Sequence, residues 1–157
     1  MAQAISSEKF EEALNTLLTE TFESVQGAYL DKGTSLFGTL ATISAEQVSR
    51  PVSARCASLA AQVAHTRYYL EVISRFIRGE VPTDVDWTKS WQIVAVTPEE
   101  WSQLNQELRD TYGQVRALLA SITDWNVGDR LGEALLTVVH TAYHLGEIRQ
   151  ALYTLQG

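Results

Sequence analysis

Residues 129–155 read DRLGEALLTVVHTAYHLGEIRQALYTL, a stretch with no proline. At about 100° per residue on a helix, His140 and His144 stand one above the other on one face. Leu136, Tyr143 and Glu147 lie on or beside that stripe. The far side carries Leu131, Leu135, Val138, Ala142 and Leu145, and a third strip carries Gly128, Gly132, Val139 and Gly146. A helix that is apolar or small nearly all round is expected to be packed on several sides. The glycines let another helix approach closely, from this chain or from a second copy.

Working outward, the rest of the chain also follows helical periods. Thr97-Pro98-Glu99-Glu100 is a helix start: Thr97 caps, Pro98 suits the first helical position and Glu100 completes a capping box. That helix is expected to run to about Ser121. Upstream, a helix from about Ala57 to Arg78 stops at Gly79. On it, Ala61, His65, Tyr69, Val72 and Phe76 share one face, and Arg67, Glu71, Ser74 and Arg78 the opposite one. A first helix from about Ser7 to Ser24 carries Phe10, Leu14, Leu17 and Leu18 on one stripe. Gly27 and Gly33 predict a break after it, followed by a helical piece over about Asp31 to Ile43 and a short capped turn at Ser44-Ala45-Glu46-Gln47. Residues 80–96 form a long connection with Trp87 and Trp91, and Ile93-Val94-Ala95-Val96 is a candidate short strand. Connections of this length are often functional. The three prolines, Pro51, Pro82 and Pro98, fall between the periodic segments, and no hairpin dipeptide separates alternating runs. The expected fold is all-α: a four-helix bundle with an extra broken helical segment at the N-terminus, one domain over residues 1–157.

Composition mostly excludes. The 157 residues are 45% hydrophobic and 20% charged, with a formal net charge of −7 and one cysteine, Cys56. An intramolecular disulfide is impossible, and a chain of this length can bury enough surface without one. The acidic balance and scattered basic residues argue against a general nucleic-acid binder. No apolar run reaches the length of a membrane span, and the first residues lack the basic and apolar regions of a secretory signal. The expectation is a cytoplasmic protein with neither membrane nor nucleic acid as partner.

The three histidines carry the chemistry. His140 and His144 present two imidazoles on one helical face, and His65 sits on the apolar face of another helix. Imidazole nitrogens bind a divalent ion at about 2.0–2.1 Å, and three of them leave positions open for water or substrate. The alternative is a set of neutral, hydrogen-bonded core imidazoles. Burying unmatched polar groups costs roughly 1–3 kcal/mol each, and a shared ion removes that cost. The His140-Thr141 pairing excludes the zinc-protease motif, which places a glutamate after its first histidine.

The run His140-Thr-Ala-Tyr-His144-Leu-Gly-Glu147-Ile-Arg149-Gln150, with Ala61-Gln62-Val63-Ala64-His65 and Ala57-Ser58-Leu59 upstream, resembles the DinB-like (damage-inducible) family of bacterial four-helix proteins. The resemblance extends over about Asp31 to Gln156. It leaves out the stretch before about Gln26 and the Trp87/Trp91 connection. It implies that His65, His140 and His144 hold a divalent metal, nickel or zinc. Similar proteins include thiol-dependent enzymes, among them a mycothiol-dependent maleylpyruvate isomerase and proposed thiol S-transferases.

Two function classes follow. One is a metal-dependent enzyme acting on a small-molecule thiol or other small substrate by transfer, isomerisation or hydrolysis. The other is a non-enzymatic homodimeric bundle in which the histidines are structural; the glycine strip of the last helix motivates the homodimer. Five further residues have open roles. Glu147 is either an outer acceptor for an imidazole or a solvated carboxylate. Tyr69 and Tyr143 either line a pocket or pack. Trp87 and Trp91 either wall the site or seal one end of the fold. Cys56 is expected to be a small packing residue.

Overall fold

The computed structural model describes residues 5–156, which form six α-helices and, among the described residues, no strand. Four helices are long: α1 (Ser7–Phe22), α4 (Leu59–Ile77), α5 (Pro98–Ala120) and α6 (Arg130–Gln156). Two are short: α2 (Leu36–Leu40) and α3 (Ala45–Val48). The expected starts of α3 and α5 form as full capping boxes, Ser44 with Gln47 and Thr97 with Glu100. Ser58 caps α4, its hydroxyl accepting from the Ala61 N–H at 3.1 Å, and Gly79 ends that helix in the left-handed region at φ +83°.

Helix α4 packs against both α5 and α6, and α1 packs on α6. The long helices meet over one core that includes Leu18, Val63, Leu70, Leu108, Leu145 and Ile148. Aromatic contacts close the α1–α5 side: Phe22 stacks on Tyr112 with centroids 4.2 Å apart, and Tyr112 donates to Glu23 Oε1 at 2.6 Å. Trp101 donates its indole N–H to the Ile43 carbonyl at 2.9 Å, tying α5 to the segment before α3.

The break after α1 is organised by a buried carboxylate. Glu20, in the last turn of α1, is fully buried. Its Oε2 accepts from the backbone N–H groups of Gln26 and Ala28 at 2.8 and 2.7 Å. Its Oε1 accepts from those of Tyr29 and Leu30, both at 2.6 Å. Thr21 donates to the Leu17 carbonyl, so the Tyr29 hydroxyl, 2.6 Å away, donates to Thr21 Oγ1. Gly27, at φ +85°, makes the turn that aims these amides at one side chain. The helical piece expected from Asp31 to Ile43 is shorter: it forms only over Leu36–Leu40, after Gly33 in the left-handed region at φ +79°.

Other expectations need correction. Ile93–Val96 is not a strand, because no second strand lies beside it. Instead two serine hydroxyls hold it: Ser58 donates to the Ile93 carbonyl at 3.0 Å, and Ser49 accepts from the Val96 N–H at 2.9 Å. Ser74, placed by its angle on the polar face of α4, is buried and donates to the Leu70 carbonyl at 2.7 Å. Helix α6 packs on α4 and α1, as expected of a helix packed on several sides, but leaves Leu131, Leu135, Leu136, Val139 and Tyr143 exposed. No helix among the described residues is long and apolar enough to cross a membrane.

Burial raises the pKa of Glu20, but the four backbone donors outweigh it and hold the group down at about 2, against an ordinary 4.5. Its stabilising contribution is thus complete above about pH 4.5 and is lost as pH falls toward about 2. In Glu20→Gln the amide NH2 faces two of these donors. The variant is expected to melt at a lower temperature at neutral pH and to show a shallower fall in Tm between pH 4.5 and 2. Circular-dichroism melts across that range check both; equal slopes for the two proteins would contradict the role assigned to Glu20.

Candidate metal centre

Because α4 lies against α6, the apolar face of one carries His65 to the stripe of the other that carries His140 and His144. One ring nitrogen from each lies within 4.8 Å of the other two. His65 and His144 are buried, and His140 is half-buried. The Nε2 atoms of His140 and His144 are 3.2 Å apart. For metal–nitrogen bonds of about 2.0–2.1 Å, that separation corresponds to an angle at the ion of about 100°, within the range of ordinary coordination geometries.

Outer hydrogen bonds set the tautomers. Ser90 donates its hydroxyl to the Trp87 carbonyl at 2.7 Å, so its oxygen is an acceptor toward His65 Nδ1 at 2.8 Å. The proton of His65 is therefore on Nδ1, and its Nε2 carries a lone pair. His144 Nδ1 faces two acceptors, Gln62 Oε1 at 2.6 Å and Glu147 Oε2 at 2.9 Å, which places its proton there too. His140 is different. Its Nδ1 is buried with no hydrogen-bond partner, and its ring lies flat on Tyr69, with centroids 3.5 Å apart and planes 5° apart. With the proton on Nε2, His140 leaves a bare buried Nδ1. With the proton on Nδ1, two lone pairs face each other across 3.2 Å. The second arrangement becomes favourable when a cation sits among the Nε2 atoms, so the donor set fits a divalent ion.

Electrostatics agree with neutral ligands. Burial, reinforced by the neighbouring His144, pushes His65 down to about 4, and burial with both other histidines pushes His140 down to about 3. Burial also lowers His144, partly opposed by Glu147. All three are neutral at pH 7, the form in which imidazole binds metals.

An aromatic ring covers each imidazole. Trp91 stacks on His65 at 4.0 Å, Tyr69 on His140, and Tyr143 meets His144 edge-on at 5.0 Å. Trp87 reaches Tyr68, Tyr69 and His65 at 5.6–6.1 Å. The long connection therefore serves the site. The Tyr68 hydroxyl accepts from the Asp86 N–H at 3.1 Å, Arg75 pairs with Asp84 at 2.8 Å, and the 3₁₀ turn Lys89–Trp91 delivers both Ser90 and Trp91. Trp87 and Trp91 remain partly exposed and form a wall of the site.

The histidine positions follow from helical spacing, and Glu147 is an outer acceptor. Ser90 and Gln62 were not assigned this role from the sequence. Gln62 had a signal, being one turn before His65 on α4. Ser90 had none, because an irregular connection carries it. Cys56 is exposed, 3.3 Å from Ser53 Oγ, and is not the packing residue expected. Comparison of the chain with family models, curated proteins and solved structures returns no match.

Long-range 1H–15N NMR on metal-free protein at pH 7 is expected to show neutral Nδ1–H tautomers for His65 and His144, and the His65 and His140 rings neutral down to about pH 5. A protonated imidazolium for His65 at pH 6 would contradict the burial described here.

Proposed function

We propose that this chain is a DinB-like four-helix bundle that holds a divalent ion, zinc or nickel, on His65, His140 and His144 and acts on a small thiol or other small substrate. One observation carries the reading. Three neutral imidazoles bring one ring nitrogen each within 4.8 Å of the other two, and no cysteine or carboxylate joins the cluster among the described residues. Three protein ligands with open positions are the pattern of catalytic sites rather than structural ones. An ion bound there supplies charge that lowers the pKa of a thiol or water at an open position. The chain's own residues do the rest. Ser90 orients His65, Gln62 and Glu147 orient His144, and Tyr69, Trp87 and Trp91 limit water around the rings. Thiol transfer, isomerisation and hydrolysis are the reactions such a centre supports.

A second reading has its own support. The exposed Leu131, Leu135, Leu136, Val139 and Tyr143 on α6 form an apolar strip suited to a homodimer, in which a non-enzymatic bundle uses the histidines structurally.

Protein purified without an affinity tag is expected to contain about one equivalent of zinc or nickel, and metal-free protein to gain thermal stability when either is added. His140→Ala is expected to fold and to lose affinity by more than the roughly 10–100-fold typical of removing an outer hydrogen-bond partner. No bound metal and no thermal shift would refute the reading. A cobalt-substituted sample should develop a sulfur-to-metal band when N-acetylcysteine is added; a metal-bound protein whose spectrum ignores the thiol favours the structural alternative.

A further inference from the structure

Behind His144, on the side of Nδ1 rather than Nε2, a groove of about 530 Å3 runs between the start of α4 and the second half of α6. That volume lies within the range of small-molecule sites, about 300–1,000 Å3. Val52, Leu59 and Ala151 supply its apolar walls. Glu147 is the one formally charged residue that lines it, and no lysine or arginine pairs with that carboxylate among the described residues. The neighbouring Arg149 is turned away, donating to the Tyr153 hydroxyl at 3.0 Å.

The hydrogen-bond count at Glu147 is also unbalanced. His144 Nδ1 has one proton and faces two acceptors, the Gln62 amide oxygen and the Glu147 carboxylate. A carboxylate has about four accepting sites, and among the described residues only His144 Nδ1, at 2.9 Å, and the Tyr143 hydroxyl approach Glu147, so accepting capacity remains for something else. Gln150, on the same lining, adds an amide oxygen, and the exposed Tyr143 ring adds an aromatic face. An ammonium has three donors, and these groups supply a charged acceptor, a neutral acceptor and a π-surface.

We propose that this groove binds a small organic ammonium compound, its charge paired by Glu147 and its carbon skeleton covered by Val52, Leu59 and Ala151. The site is separate from the open positions of the metal centre and touches it through Glu147, Gln62 and Tyr143, each of which meets His144. Its occupancy needs no metal.

The probes are benzylammonium, benzyl alcohol and benzoate, titrated into chelator-treated protein at pH 7 and followed by 1H–15N spectra. Benzylammonium is expected to move the amide signals of residues 56–62 and 146–151, benzyl alcohol to bind about tenfold more weakly, and benzoate not to bind. Glu147→Gln is expected to bring benzylammonium down to the affinity of the alcohol. Gly146 lines the groove, and a Cβ there meets nothing within 4 Å. Gly146→Leu is therefore expected to fold normally and to block both probes. Equal affinity for ammonium and alcohol in the native protein would overturn the proposal. So would no benzylammonium binding at tens of millimolar, or binding unchanged in Gly146→Leu. Because the titration uses metal-free protein, its failure and a failed zinc titration are separate results.

Discussion

Three imidazoles share one interior, and each has two nitrogens that must be matched. That constraint organises the middle of the molecule. An unmatched buried polar atom costs roughly 1–3 kcal/mol, so the fold supplies an outward acceptor for each ring it can. Ser90 serves His65, and Gln62 with Glu147 serves His144. Once the outer nitrogens are occupied, the inner lone pairs have only one another to face. His140 has no outer partner for Nδ1, and a cation among the inner nitrogens would offset the lone pairs of His140 and His144 that face each other across 3.2 Å.

The same logic recurs away from the histidines. Glu20 is a second buried group whose demands reshape the chain around it. Four amides between Gln26 and Leu30 converge on it, and the chain there forms a bent connection instead of a helix. At the other long connection, neutral hydroxyls do the pinning. Ser49 and Ser58 hold residues 93–96, and Ser90 links the 3₁₀ turn to His65. In both places irregular backbone is held by side chains anchored in helices, which is how a connection can present Trp91 and Ser90 at fixed positions.

Most helix boundaries were readable from local signals because capping is local. Thr97 with Glu100, Ser44 with Gln47, and Gly79 act within a few residues of themselves. The candidate ligands were also readable, since the spacing of His140 and His144 fixes their shared face, and apolar neighbours orient His65. The local signals failed where distant atoms decide. Ile93–Val96 has strand composition but no partner strand. Ser74 lies on a face that its neighbours Arg67 and Arg78 mark as polar, yet it is covered, and its hydroxyl is satisfied within its own helix. Cys56 looks like a packing residue by type and is exposed, because residues 49–57 run outside the core.

From the amino-acid order alone came the all-helical character, the helix starts and stops, and the two histidine-bearing faces. Each depends on side chains a few positions apart on one helix. The packing of α4 on α6 settled the rest. It brought His65 opposite His140 and His144 and set Gln62 against a ring 82 positions away. Burial of Glu20, the exposed strip on α6 and the groove behind His144 belong to the same level. They arise where helices distant in sequence meet or fail to meet, and the period of a single helix holds no record of its neighbours.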